Sequence, residues 1–319
     1  MKLIIYFVVL VVAWLERAQA GEPSLERLGV PWRVGDATVQ WNATLHDLPS
    51  SAAVYRVVSG EFSPVVLSNL LRLAHLSERN RVKPQWEGAT ERDLSFRDAS
   101  ETRILDLIPD DGYAILRNTK AIASPREPAK GVPDERQALK QAVAIASQLG
   151  ITRDQLAKRA GSDDLRFTPI LRERGAIDRK QGKLVKTVIA RELFLVRALD
   201  RIPSIGMGGG GGMLLSFGNY GQLAELELTW RTVEDQVRYP VATKEQFLDW
   251  LKTGRCVCAS DLFGEIQAIT VKSITPYYLE RAGGERQEEI HPITEIEADV
   301  VLETTNMPVR LYCPLVVYP

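Results

Sequence analysis

Apolar positions recur at helical spacing in three stretches of the chain and alternate in most of the others. Val66, Leu67, Leu70, Leu71 and Ala74 fall on one face of a helix that Ser63 and Pro64 open as N-cap and first-turn proline. Leu139, Ala142, Val143, Ala146 and Leu149 line a second helix over 134–149, with Pro133 near its start and Gly150 as its stop. Thr243 and Gln246 form a capping box for a third, which carries Phe247, Leu248, Trp250 and Leu251 and ends at Gly254. The spacing also predicts a short helix over 153–160.

Strand-like runs occupy 52–58, 102–108, 113–117, 188–199, 213–217, 223–230, 266–278, 293–302 and 309–317. Pro109-Asp110-Asp111-Gly112 is a tight turn between the second and third of these. Residues 21–50 read as an irregular arm, 84–101 as loop, and 120–132, with Pro125 and Pro128, as a linker. The charged stretch 172–186 reads as a solvated hairpin or loop. Strand, Gly-containing turn, strand and capped helix occur twice, at about 102–150 and 213–254, a pattern pointing to duplication. A helix over one face of an antiparallel sheet is α+β architecture. The domain division expected is 21–125, an N-terminal α+β domain with its arm, and 126–319, a C-terminal α+β domain. The second divides further into packed subdomains at about 129–235 and 236–319.

Five consecutive glycines, Gly208 to Gly212, invite a dinucleotide or phosphate-cradle reading. That chemistry needs a helix N-terminus after the turn, or a Lys-Ser/Thr pair, and a strand-like run follows instead. The glycines therefore read as a connection leading into a hairpin.

Composition changes the picture in one respect. The chain is 45% hydrophobic and 25% charged with a formal net charge of -1, so bulk positive charge for nucleic acid is missing. The first twenty residues stand apart: Lys2, an apolar run over 3–15, and Ala18-Gln19-Ala20 before Gly21 make a secretory signal peptide cut after Ala20. A secreted protein, extracellular or periplasmic, follows as the expectation, with no integral membrane segment once the signal is removed. Export permits disulfides, and among Cys256, Cys258 and Cys313 either of the first two could bridge to Cys313. Buried free thiols are the alternative. Asn42-Ala43-Thr44 is a glycosylation triplet in a host that uses it.

Several stretches carry a resemblance. They are R-x-L-D-R-I-P-S-I-G at 197–206, L-S-F-G-N-Y-G-Q-L-A-E-L-x-L-T-W-R at 215–231, Tyr239-Pro240, Tyr277-Tyr278 and His291-Pro292-Ile293. Together they resemble bacterial extracytoplasmic proteins with PepSY-like modules, including the YycH/YycI group that regulates a membrane-bound sensor kinase. The resemblance implies PepSY-like or cystatin-like modules and binding, inhibition or regulation outside the cytoplasm. It brings no catalytic residues with it. The five-glycine run and His291 ahead of the proline depart from that pattern.

Chemistry-bearing motifs are few. His46, His75 and His291 form no metal-ligand pair, no G-x-S-x-G elbow is present, and no cofactor or metal is expected. Arg201, Trp230, Arg231, Tyr239, Tyr277 and Tyr278 are the candidate partner-binding residues, because arginine and aromatics are enriched at interfaces. Packing is the competing role for each. The leading expectation is a non-enzymatic binding or regulatory protein whose partner is another envelope protein or a peptide. An envelope structural component and a secreted hydrolase without a recognisable motif are the alternatives. Apolar surface exposed on a sheet edge or face would favour the first.

Overall fold

The computed structural model describes residues 22–122, 128–178, 183–206, 210–260, 262, 265–303 and 305–319. The signal segment 1–20, and Gly208 and Gly209 of the glycine run, lie outside the described residues. The chain opens with β1 (Val30–Trp32), β2 (Thr38–Trp41), β3 (Ser51–Val57) and α1 (Pro64–Ala74). Next come β4 (Arg81–Val82), β5 (Leu94–Arg97), β6 (Arg103–Ile108), β7 (Tyr113–Asn118) and α2 (Glu135–Gln148). Then follow β8 (Phe167–Asp178), β9 (Lys183–Val196), β10 (Ala198–Leu199), β11 (Ile202–Ile205), β12 (Gly212–Phe217) and β13 (Leu223–Thr229). The last stretch holds β14 (Val233–Pro240), α3 (Lys244–Thr253), β15 (Cys256–Cys258), β16 (Ile266–Leu279), β17 (Glu289–Leu302) and β18 (Asn306–Pro314). The fold is α+β, with antiparallel and mixed sheets flanked by helices. Two compact units result: 58–232 with 281–286, and the residues up to 57 with 233–280 and 287–319.

The first unit is an eight-stranded sheet in the order β4-β5-β6-β7-β13-β12-β9-β8. Alternation sends Leu105, Leu107, Leu116, Leu226, Met213 and Leu193 to one face, where all are buried. Leu70 and Leu71 of α1, and Ala138, Ala142 and Ile145 of α2, close that core. The helix starts are those expected: Ser63 Oγ accepts from the Val66 N–H, and Asp134 caps α2 through a box with Gln137. Gly112 sits in the left-handed region, φ 56°, and a Cβ there would lie 2.4 Å from the Trp230 carbonyl oxygen. Only glycine fits that turn.

Several expectations change here. The hairpins at β6–β7 and β12–β13 are neighbours in one sheet, joined by the β7–β13 ladder, so they are not two copies of a module with its own helix. The same ladder runs across the division expected at 125/126. Residues 153–160 form a single 3-10 turn, Arg153–Gln155, followed by bridges Leu156↔Arg197 and Lys158↔Leu165, because backbone pairing competes for a segment too short to hold a helix. The stretch 84–101 includes β5, whose Phe96 is buried, and the 21–50 arm contributes β1 and β2. At the other end of the glycine run, Gly212 is packed too closely for a side chain, since a Cβ would lie 2.5 Å from the Leu195 carbonyl oxygen.

In the second unit β1-β15-β18-β17-β16 run side by side, and β2 lies parallel to β16. β3 pairs with β14 and with the start of β17. Thr243 and Gln246 cap α3, Gly254 ends it at φ 89°, and Phe247, Trp250 and Leu251 are buried. Trp41 stacks on Phe247 at 6.3 Å.

Register decides between the two cysteine pairings. Cys258 faces Leu311 and Val257 faces Tyr312, which sets Cys256 opposite Cys313. All three cysteines are buried free thiols, so the expected disulfide is not formed in this structure. Burial pushes the Cys313 thiol well up, reinforced by its hydrogen bond with Cys256. A buried thiol that stays protonated is a poor nucleophile. Native protein should therefore react with a thiol reagent at none of its cysteines and denatured protein at all three. A single reactive thiol after unfolding without reductant would show that Cys256 and Cys313 had become oxidised.

Candidate functional site

Burial sorts the six candidate partner-binding residues. Arg231, Tyr239, Tyr277 and Tyr278 are buried, Trp230 is half-buried against the helix-covered core, and only Arg201 is exposed. The first four are therefore out of a partner's reach and act in packing, which corrects their reading as surface residues. Tyr278 meets Tyr55 edge to face at 5.3 Å, and Tyr239 lies 5.3 Å from Tyr318. Arg197 rests over the Trp230 ring at 5.1 Å. Arg201 follows Asp200 in a tight turn, both at positive φ.

Arg231 is 1% exposed, and its guanidinium holds the loop 281–286. Nη1 donates to the Arg281 carbonyl (2.8 Å), and Nη2 to those of Ala282 (2.9 Å) and Glu285 (2.8 Å). The planar fork donates from two nitrogens held apart, a spread that the single ammonium of a lysine does not reproduce. Burial raises the Asp111 carboxyl while the Arg231 charge pulls it back down. The same loop lies on Tyr113: a Cβ on Gly283 would fall 1.9 Å from the ring. This is an architectural clamp. Arg231→Met should cost about 3 kcal/mol in urea unfolding, because several carbonyls lose their donor, and Arg231→Lys should recover only part of it.

The face of the eight-stranded sheet away from the helices is polar. Arg172 pairs with Glu192 (2.8 Å) and approaches Glu225 (3.9 Å), which also meets Arg117 (3.4 Å). The Tyr113 hydroxyl donates to Glu227 at 3.4 Å. Burial, and then the neighbouring Glu225, raise the Glu227 carboxyl, while burial and Glu227 push Tyr113 up to about 12. The pairing satisfies charges on a broad sheet face, and no concave site converges on it among the described cavities. A cleft of about 610 Å³ is lined by Arg81, Lys83, Glu91 and Asp93, and one of about 440 Å³ by Ser260, Lys272, Glu297, Asp299 and Arg310. Lys272 is paired with Asp299 at 2.5 Å. Neither lining contains a His or Cys to act as base or nucleophile.

His291 is the most perturbed base. Its side chain is 12% exposed. Nδ1 lies 3.1 Å from the Tyr318 hydroxyl and Nε2 3.2 Å from Glu289. Burial pushes it down to about 4. The neutral ring then accepts from Tyr318 at Nδ1 and donates to Glu289 from Nε2. An unfolded histidine takes up a proton near pH 6.5, so the unfolded chain binds more protons between about 6.5 and 4, and stability falls as pH drops through that window. Glu289, raised by burial, works in the opposite sense at the acid end. The His291→Gln variant should lose the part of the acid destabilisation that His291 causes, at most about 3 kcal/mol, in urea midpoints measured from pH 7 to 4.

Among the described residues, no group of three or more His, Cys, Asp or Glu could hold a metal ion, and no helix is long and apolar enough to cross a membrane. The glycine run leads into β12, which pairs with β9 and β13.

The charged stretch 172–186, expected as a solvated hairpin or loop, holds the ends of two paired strands, β8 to Asp178 and β9 from Lys183. β12 leaves β9 at Arg191, and the Ala129 N–H reaches the Val188 carbonyl. Beyond that point β9 has only β8 beside it among the described residues, and the two continue as a ribbon. Ile170 (44% exposed), Leu171 (41%), Leu184 (63%) and Val185 (49%) are half of the eight large hydrophobic residues exposed among those described. A signal existed in the paired apolar doublets 170–171 and 184–185, separated by charge and by Gly182.

No protein-family model matches the chain, and no curated protein does. Solved structures that match include an uncharacterized protein from Eubacterium rectale, at 12% identity and a TM-score of 0.48 over 93% of this chain and 94% of that one. An overlap that loose carries no inference about function.

Proposed function

We propose that this is an exported, cell-envelope or secreted binding protein of regulatory rather than enzymatic type, built from PepSY-like modules. The observation that supports it most directly is the β8–β9 strand pair, on which Ile170, Leu171, Leu184 and Val185 are all exposed. Apolar surface left open along a strand pair is what a partner would cover. A two-stranded ribbon is also marginal alone, and a partner strand or surface would stabilise it. The export reading rests on Lys2, the apolar run 3–15 and Ala18-Gln19-Ala20.

The test is capture of envelope-fraction proteins by the native chain and by an Ile170→Ser/Leu184→Ser double variant, both changes being at exposed positions. The native chain should retain a reproducible partner that the variant loses by about tenfold or more, in keeping with removal of central apolar contacts. Equal retention by both would move the binding surface elsewhere. Recovery of no reproducible partner by either would overturn the reading.

A further inference from the structure

We infer that Cys256 and Cys313 are the two ends of a cross-strand disulfide that closes when a disulfide oxidant meets the folding chain, and that Cys258 stays a thiol. The sheet itself separates the three cysteines. Cys258 faces Leu311, Val257 faces Tyr312, and Cys256 and Cys313 come next in line. The Ala259 N–H donates to the Arg310 carbonyl at 2.9 Å, so that facing pair is a hydrogen-bonded one. Antiparallel pairs alternate, which makes Val257 with Tyr312 bonded and Cys256 with Cys313 non-bonded. The opposite ladder agrees. Cys313 faces Thr294, and the Leu315 N–H two residues on donates to the Pro292 carbonyl at 3.2 Å, so the Cys313 backbone turns towards β17 and away from β15.

That phase decides the chemistry. Across a non-bonded pair the Cα atoms approach to about 4.5 Å with both side chains on one face. A disulfide spans Cα separations of about 4.4 to 6.8 Å. The two thiols already share a hydrogen bond. Cys258 lies on the same face but diagonal to Cys313, at about 7 to 8 Å, a separation that needs backbone movement to bridge. The bond closes a loop that contains β16 and β17 and returns through β18, which fastens the order β15-β18-β17-β16. Such a cross-link stabilises chiefly by restricting the unfolded chain.

Burial sets when the exchange takes place. Cys256 and Cys313 are 1% and 0% exposed, so an oxidant reaches them before β15 is enclosed between β1 and β18. One cysteine, as thiolate, attacks a sulfur of the oxidant disulfide and releases its first thiol. The other attacks the mixed disulfide, forms the Cys256–Cys313 bond and releases the second thiol. Two electrons pass to the oxidant, and the two cysteine protons end on its released thiols. Exported chains meet oxidants of this class. A chain folded without one keeps the three buried thiols. The inference goes beyond the partner-binding reading and uses none of its contacts.

The experiment refolds the full chain from urea with a mixture of oxidised and reduced glutathione, or with reductant alone. Thiols are then alkylated in denaturant and located by mass spectrometry, with circular dichroism checking the fold. Reductant alone should leave three alkylated cysteines. The glutathione mixture should leave one, Cys258, with the Cys256 and Cys313 peptides linked. Cys258→Ser should keep the link and lose the last free thiol, whereas Cys313→Ser should lose the link. The oxidised form should unfold at higher urea than the reduced form, and reductant should open its bond only once urea unfolds the chain. Three free thiols in chain folded with the glutathione mixture overturn the inference, as does a link through Cys258, links between chains only, or a lower urea midpoint for the oxidised form. None of these outcomes bears on capture of a partner through β8 and β9, so the two readings fail separately.

Discussion

Eight strands spaced about 4.8 Å apart make a sheet roughly 34 Å wide, and two helices about 10 Å across roof only part of one face. Much of the first unit follows from that mismatch. Under α1 and α2 the alternating positions are leucine, alanine and methionine, and they are fully buried. On the unroofed face the same strands carry Arg117, Glu225, Glu227 and Arg172, paired across the ladders rather than packed. Past the point where β12 leaves β9, neither face nor the outer edge has cover from the strands described. The ribbon there exposes apolar and basic side chains together.

Buried polar groups show what the covered parts demand in return. Enclosing Arg231 requires partners for its charge, and three carbonyls of one short loop accept from its two terminal nitrogens. The clamp draws in Gly283 against Tyr113, and Gly112 against Trp230, two contacts with no space for a Cβ. An arginine and an aromatic that resembled an interface pair in sequence are instead what closes the end of the sheet. His291 obeys the same rule in the second unit, where Tyr318 and Glu289 satisfy a ring held neutral by burial.

Legibility in the sequence followed how local the cause was. The starts of α1 and α3 and the stop of α3 were readable because Ser63, Thr243 and Gly254 act within a turn of where they stand. The β6–β7 and β12–β13 hairpins were readable from turn chemistry and alternation. Their adjacency in one sheet was not, because the β7–β13 ladder joins residues more than a hundred positions apart, and a repeated local pattern then looked like duplication. Burial of Arg231, Tyr239, Tyr277 and Tyr278 was also invisible, since an aromatic at an interface and one in a core look alike in sequence. For Cys256 and Cys258, only register could select which one faces Cys313.

The ribbon is the instructive case. Charge density made 172–186 read as a solvated hairpin or loop, and Ile170, Leu171, Leu184 and Val185 carried no reading of their own. The hairpin alternative agrees with the paired strands over 167–178 and 183–196, and the loop alternative does not. Cations alone would mark an edge protected against pairing, and exposed apolar side chains alone would mark an aggregation hazard. On the β8–β9 pair the two occur side by side, with Lys183 and Lys186 flanking the exposed Leu184 and Val185, and charge there limits the pairing that apolar side chains alone would invite.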